Sequence, residues 1–268
     1  KLAFMRKWIA KSQHITYIYQ FNKKLISDFL DYILIDRNNN LRTKNNYIGW
    51  LKSFSSYLIA RGYLTSNPTL GLNTSTKLGP KNRDVIPNEI LIEIKSYLEK
   101  ENKHYLLACY MIHYLFVRPG EMCFLKIKDL SEDKRTLTLS GSHTKNGHDA
   151  VITIPNHVID LMRELEIFSA PPGYYIFSND FRPGSERIKA IAFTRFWTSN
   201  VKKALNLSDV YKLYSLKDTG ITNMIKAKTD LLSVRDQARH SSVKVTNIYT
   251  PQECIEANAA LVGYEGVF

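Results

Sequence analysis

From Phe21 to Ile35, apolar residues recur at spacings of three and four: Leu25, Ile26, Phe29, Leu30, Ile33 and Leu34. That spacing predicts an amphipathic helix, and the polar run Asp36-Arg-Asn-Asn-Asn40 closes it. A second helix is expected from near Thr43, with Tyr47, Trp50, Leu51, Phe54, Tyr57 and Leu58 on one face and Gly62 as its C-terminal stop. Residues 1–72 read as helical throughout, with Leu64-Thr-Ser-Asn-Pro68 opening a short final piece. Residues 73–86 are polar and broken by Gly79 and Pro80, which is linker composition. The expected organisation is a helical domain over 1–72, a linker over 73–86 and a second domain over 87–268.

The pattern changes beyond Pro87. Residues 88–117 read as two helices, the second, from Tyr105 to Val117, so apolar that burial on all sides is expected. Thr136–Ser140 and Ala150–Ile154 alternate in period two around Gly141-Ser-His-Thr-Lys-Asn-Gly147, a hairpin with Lys145 at its tip. Helical spacing returns over 155–166 and 188–204. It resumes from Ser215 to Gly263, with breaks near Thr229-Asp230 and His240-Ser-Ser242. The fold class expected is mainly α with a small antiparallel β-sheet, in two domains: a helical bundle followed by an α+β domain.

Composition narrows the function. The 268 residues are 44% apolar, 12% aromatic and 23% charged, with no stretch near the ~18 apolar residues of a membrane span. Cys109, Cys123 and Cys254 make an odd count with no paired short spacing. Neither a metal site nor a disulfide framework is expected, no cofactor is implied, and a reducing cytoplasm is the natural compartment. The net charge is +12, and residues 1–80 hold 12 Lys and Arg against 3 Asp and Glu, whereas the other 188 residues hold 25 against 22. A basic first segment interleaved with Tyr, Phe and Trp suits the phosphate backbone of double-stranded DNA. The candidate contacts are Lys44, Lys52 and Arg61, with Lys81 and Arg83 in the linker. Charge alone fits a solvated basic surface equally well.

Four polar features sit at element ends. Arg118-Pro-Gly-Glu121 follows the apolar helix, and an arginine leaving such a helix must be paired or face a ligand. A simple Arg118–Glu121 ion pair would satisfy that demand as well. The others are Lys145, the helix entry Tyr214-Ser-Leu-Lys217 and the run from His240 to Tyr249. Each alone is a weak signal.

Their order and spacing resemble the catalytic domain of the tyrosine recombinase (phage integrase) family. That pattern has Arg–x–x–Glu after an apolar helix, a hairpin lysine, His–x–x–Arg at a helix start, and Gly-His-Ser-Ser with a nucleophilic tyrosine nine residues after the histidine. Arg118 and Glu121, Lys145, and His240 with Tyr249 match; the resemblance covers essentially residues 85–265 and makes 1–72 the core-binding domain that clamps DNA. It implies that Tyr249 attacks a DNA phosphodiester and leaves a 3′-phosphotyrosine, without a metal. Arg118, Lys217 and His240 would then stabilise the phosphorane, with Glu121 supporting and Lys145 protonating the departing 5′-oxygen. It further implies a four-way junction in a homo-tetramer on paired DNA sites, exchange of the C-terminal tail 251–268 between subunits, and DNA-bending accessory proteins as further partners.

Two departures stand out. Tyr214 and Lys217 occupy the places of histidine and arginine, and Arg239 replaces the glycine before His240. Lysine keeps a positive charge but loses the bidentate fork of a guanidinium. Rival readings are a non-cutting DNA-binding regulator on the same fold and a type IB topoisomerase, which the nine-residue spacing and compact first domain disfavour. The chain opens on Lys1, which reads as a piece of a longer protein with an arm-binding domain upstream, and tilts the expectation toward the integrase of a mobile element.

Overall fold

The computed structural model describes residues 1–12, 15–75, 84–144 and 147–249. It divides into two compact units, Lys1–Lys81 and Asn82–Phe268. Its described part is mainly helical with one small antiparallel sheet.

The first unit holds α1 (Leu2–Ser12), α2 (Lys23–Asp31) and α3 (Leu41–Ala60). Asn22 and Asn40 cap α2 and α3, their side-chain oxygens accepting from the backbone N–H groups of Leu25 and Thr43. The Asn40 cap starts α3 at Leu41, two residues earlier than the spacing of its apolar positions suggested. A π-helical turn, Tyr32–Asp36, extends α2. The core is strongly aromatic: Phe29 is fully buried between Trp8, at 5.1 Å between ring centroids, and Tyr47, at 5.6 Å. The buried line of α3 is Ile48, Leu51, Ser55 and Leu58. Tyr57, expected on the core face, is exposed because it falls one position before that line. Gly62 ends α3 at φ +73°, where a side chain would be strained. Residues 64–72, expected as helical, form turns instead.

The second unit begins with α4 (Asn88–Glu101) and α5 (Lys103–His113), followed by the short α6 (Pro119–Met122). Three strands, β1 (Leu130–Ser131), β2 (Thr136–Leu139) and β3 (Ala150–Thr153), pair antiparallel in that order, with Leu137 opposite Ile152 on the buried face. The two-residue β1 was too short to leave an alternating pattern. Then come α7 (Asn156–Glu164), α8 (Ala190–Phe196), a π-helical turn (Trp197–Val201) running into α9 (Lys202–Ala204), and α10 (Ser215–Lys226), α11 (Leu231–Ala238) and α12 (Val243–Asn247).

The central helix α5 packs against α4, α7 and α10. The close approach of α10 depends on Gly220, where any Cβ would fall inside the van der Waals radius of the His113 carbonyl oxygen. The helix expected to reach Val117 stops at His113. Phe116, wholly buried, adopts φ +55° and breaks the helical path. That break removes the Phe116 carbonyl from any helical ladder and frees it as an acceptor for side chains.

Candidate active site

Arg118 caps α6, with Pro119 in the first helical position, where its missing N–H costs nothing. The Glu121 carboxylate folds back onto this start: Oε2 accepts the Arg118 backbone N–H at 2.9 Å, and Oε1 accepts Arg118 Nη1 at 2.6 Å. A second guanidinium arrives from the end of α11, where Arg239 Nη2 donates to Glu121 Oε2 at 2.8 Å. One buried carboxylate therefore seats two arginines. Burial pushes the Glu121 carboxyl up, but Arg239 and then Arg118 outweigh it and hold it below the usual carboxylate range. Burial likewise opposes the charge on Arg118, yet Glu121 and, after it, the neighbouring Tyr214 keep that guanidinium more firmly protonated than usual.

Tyr214 is the residue before α10, and Lys217 lies in its first turn. The first two turns of α10 are buried despite their polarity, and each group there finds a partner. Thr219 accepts from Ile86 N–H and donates to Ser215 O, and Thr222 donates to Asp218 O. Lys217, only 2% exposed, donates Nζ to Phe116 O at 2.8 Å and to Ala238 O at 3.4 Å. Its ammonium thus ties the end of α11 to the turn after α5. Burial, with Arg118 and Arg239 adding to it, pulls its pKa down to about 7.

His240 Nδ1 lies 2.9 Å from Thr246 Oγ1, which links the loop after α11 to α12. Burial first, and then the positive charge of Lys217, Arg118 and Arg239, lower its pKa to about 4, so the imidazole is neutral at pH 7. The Tyr249 ring lies nearly parallel to it, 6.0 Å between centroids and 13° between planes. The same ring packs on the apolar cluster of Phe116, Ile221, Val234 and Ala238, and its hydroxyl donates to Asp218 Oδ1 at 3.0 Å.

Arg118, Glu121, Tyr214, Lys217, His240 and Tyr249, drawn from three separate stretches of sequence, thus gather around the start of α10. Lys145 and the linker candidates Lys81 and Arg83 lie outside the described residues, as do Cys254 and the tail 251–268. In the first unit Lys52 and Arg61 are exposed, Arg61 over the Tyr57 ring at 5.5 Å, while Lys44 is mostly covered and 4.0 Å from Asp31. Sequence reasoning missed Asp218 and Thr246 and treated Arg239 only as a departure. The available signal was the polar run Ser215, Asp218, Thr219 and Thr222 in a helix that had to pack against α5.

A cleft of about 110 Å³ opens between Arg118 and Arg239 on one side and Thr144, His148, Asp149 and Ala150 on the other. A larger cavity of about 420 Å³ between α4, α5 and α10 is lined mainly by apolar side chains such as Leu91, Ile94 and Leu106, and carries neither guanidinium. For anion chemistry the small cleft is the relevant one. Among the described residues, no group of three or more His, Cys, Asp or Glu is placed to share a metal ion, and no helix is long and apolar enough to cross a membrane.

Residues 88–254 match the model of the phage integrase family. A tyrosine recombinase of Thermosipho africanus is 24% identical over 212 residues, spanning 77% of this chain and 70% of that protein. The tyrosine recombinase XerA of Pyrococcus furiosus is 24% identical over 187 residues, 67% of this chain and 63% of its own. In fold, the chain is similar to the Tn1549 transposon integrase in complex with transposon right end DNA, with a TM-score of 0.73, 14% identity and coverage of 95% and 90%. It is also similar to a lambda integrase dimer bound to a COC′ core site, at a TM-score of 0.70, 16% identity and coverage of 96% and 89%. The chain belongs to the phage integrase family, the tyrosine recombinases, which are DNA breaking and rejoining enzymes.

Proposed function

We propose that this chain is a site-specific recombinase that exchanges DNA strands through a 3′-phosphotyrosine on Tyr249, in the integration or excision of a mobile element. The observation that carries the reading is the convergence of Tyr249 and His240 with the Arg118–Glu121 pair around α10. In the cleavage step the bond from Tyr249 Oη to phosphorus forms as the bond from phosphorus to the 5′-oxygen breaks. The phenolic proton has an acceptor already in place in Asp218. The 5′-oxygen takes a proton from Lys145. Arg118 meets the charge that grows on the non-bridging oxygens, where a preorganised donor acts without reorganisation cost. Neutral His240 serves as a hydrogen-bonding partner of the same phosphate, and Glu121 holds Arg118 in place.

Reversal by the 5′-hydroxyl of a second cleaved strand rejoins the DNA, and two such exchanges in a tetramer on paired sites pass through a four-way junction. The tail 251–268 would couple neighbouring subunits, and proteins that bend DNA would help to pair the sites. The first unit serves as a DNA clamp through Lys44, Lys52 and Arg61, with Lys81 and Arg83 adding to it. The transposon and phage integrases similar in fold, both bound to DNA, support the mobile-element reading.

Nicked suicide duplexes tiled from the DNA flanking the coding sequence test it. Wild type should form a covalent protein–DNA adduct on one of them, and Tyr249→Phe should bind that duplex with unchanged affinity and form none. No adduct from wild type on any tile, or an adduct from Tyr249→Phe, overturns the reading.

A further inference from the structure

Arg239 is an unusual residue by three independent measures. It holds φ +55° as the C-cap of α11, a left-handed conformation that favours glycine and strains a residue with a Cβ. Its side chain is nine-tenths buried. Of its three nitrogens, only Nη2 is satisfied, by Glu121 Oε2 and by Phe116 O at 3.1 Å, while Nε and Nη1 are buried without a hydrogen-bond partner. A native structure rarely leaves two charged donors unpaired. The guanidinium also lines the cleft it shares with Arg118.

We propose that Arg239 is a catalytic residue, the second guanidinium of the phosphate site, one of whose unpartnered N–H groups donates to a non-bridging oxygen of the scissile phosphate opposite Arg118. The proposal rests on the recombinase reading above. Two arginines clamped on one carboxylate carry a net positive charge, and Arg239 holds N–H donors that no protein group takes, which suits them to the oxygens of a phosphate. Asp149 also lines the cleft, with Oδ1 accepting the Gly141 N–H at 2.6 Å.

The same geometry explains Lys217. Its ammonium and Arg239 Nη2 share the Phe116 carbonyl, so the two side chains meet at one point. A guanidinium on position 217 would extend into the volume that Arg239 fills. Position 239 thus delivers the guanidinium from α11, and Lys217 is a positioning residue that locks the end of α11 to the turn holding Phe116.

Three variants and two measurements test this. Arg239→Gly removes the guanidinium and suits the φ of that position, Lys217→Arg adds one at the alternative position, and the double variant moves it from one to the other. The first measurement is binding of inorganic phosphate, followed by the Arg Nε–H resonances in 15N NMR. Phosphate should shift and protect one resonance that is absent from Arg239→Gly, whose affinity should fall tenfold or more. The second is the rate of covalent adduct formation on the suicide duplex, expected to fall about 100-fold or more in Arg239→Gly. The double variant should recover at least tenfold in both. Lys217→Arg alone, crowded against Arg239, should not exceed wild type. Unchanged phosphate binding in Arg239→Gly overturns the proposal, and so does an adduct rate within threefold of wild type. Loss of phosphate binding in Arg239→Gly, with no adduct from wild type on any duplex, sustains the phosphate site and overturns the cleavage reading instead. A lowered melting temperature of Arg239→Gly with no recovery in the double variant assigns Arg239 to structure and overturns the proposal.

Discussion

The two units place their charge in opposite ways. In the first, the described core is aromatic and aliphatic, its only buried polar residues are Ser55 and Thr69, and its described cations are exposed apart from Lys44, which lies beside Asp31. In the second, Lys217, Asp218, Glu121 and His113 are buried around one helix, and the side chain of Arg239 is nine-tenths covered. Surface cations are screened by salt and hold a polyanion without fixing a geometry. Buried ones are costly to desolvate and must be seated, which makes them rigid donors for a charge that develops in a transition state. The first arrangement suits holding DNA, and the second suits chemistry on one phosphate.

Removing the seat is the most severe way to break that contrast. Glu121→Ala leaves Arg118 and Arg239 without their shared carboxylate, and breaking a buried pair typically costs about 3–5 kcal/mol. Arg118 is partly exposed, which reduces its share, so the lower end is expected, with Glu121→Gln less affected. Urea unfolding followed by hydrogen exchange should show this loss in the second unit while protection of α2 and α3 is unchanged. A loss under about 1 kcal/mol would remove Glu121 from its role as the seat.

The elements of the second unit were largely legible in sequence, because α4, α7 and the β2–β3 hairpin follow hydrophobic periods that depend only on which face is buried. The ends were less so. Nothing in Tyr114-Leu-Phe-Val117 signals that Phe116 takes a left-handed φ, since an apolar residue there reads as more helix. That same kink frees the carbonyl on which Lys217 and Arg239 meet, so the contacts of position 217 were as illegible as the helix end, and for the same reason. For the site, Arg118, His240 and Tyr249 could be picked out by order and spacing. Asp218 and Arg239 could not, because their roles depend on the way α10, α11 and the α5–α6 turn cross in space.

Acid should separate the units next. His113 Nδ1 bonds the Leu216 carbonyl, and burial above all lowers its pKa to about 4. Between its ordinary pKa near 6.5 and 4, the unfolded chain takes up a proton that the folded chain refuses. Stability present above pH 6.5 is therefore lost as pH falls toward 4, by roughly 3 kcal/mol for a shift of this size. His240 titrates in the same window, but its greater exposure makes its share smaller. Depressed Glu121 adds a further loss in the same direction at lower pH. Among the described residues, the first unit buries no titratable group. Unit-resolved hydrogen exchange at pH 6.5 and 4.5 should thus show protection falling in α5 and α10 while α2 and α3 hold. A His113→Phe variant should flatten the pH dependence of the second unit, and equal acid sensitivity of both units would erase the contrast.

The smallest effects belong to the surface cations, and they are graded. Lys52 and Arg61 are exposed, so each contact to a backbone phosphate would release about one counterion when made. Lys52→Ala and Arg61→Ala should each reduce the slope of log affinity against log salt by about 1, uniformly across duplex sequences. Lys44 is already mostly covered and shares Asp31, so Lys44→Ala should change the slope less. None should alter the rate of adduct formation once DNA is saturating, because none belongs to the cluster around α10. Fluorescence anisotropy over roughly 50–200 mM salt reads the slopes. A drop in the saturated adduct rate for Lys52→Ala or Arg61→Ala would mean that the first unit shapes the chemistry as well as the grip.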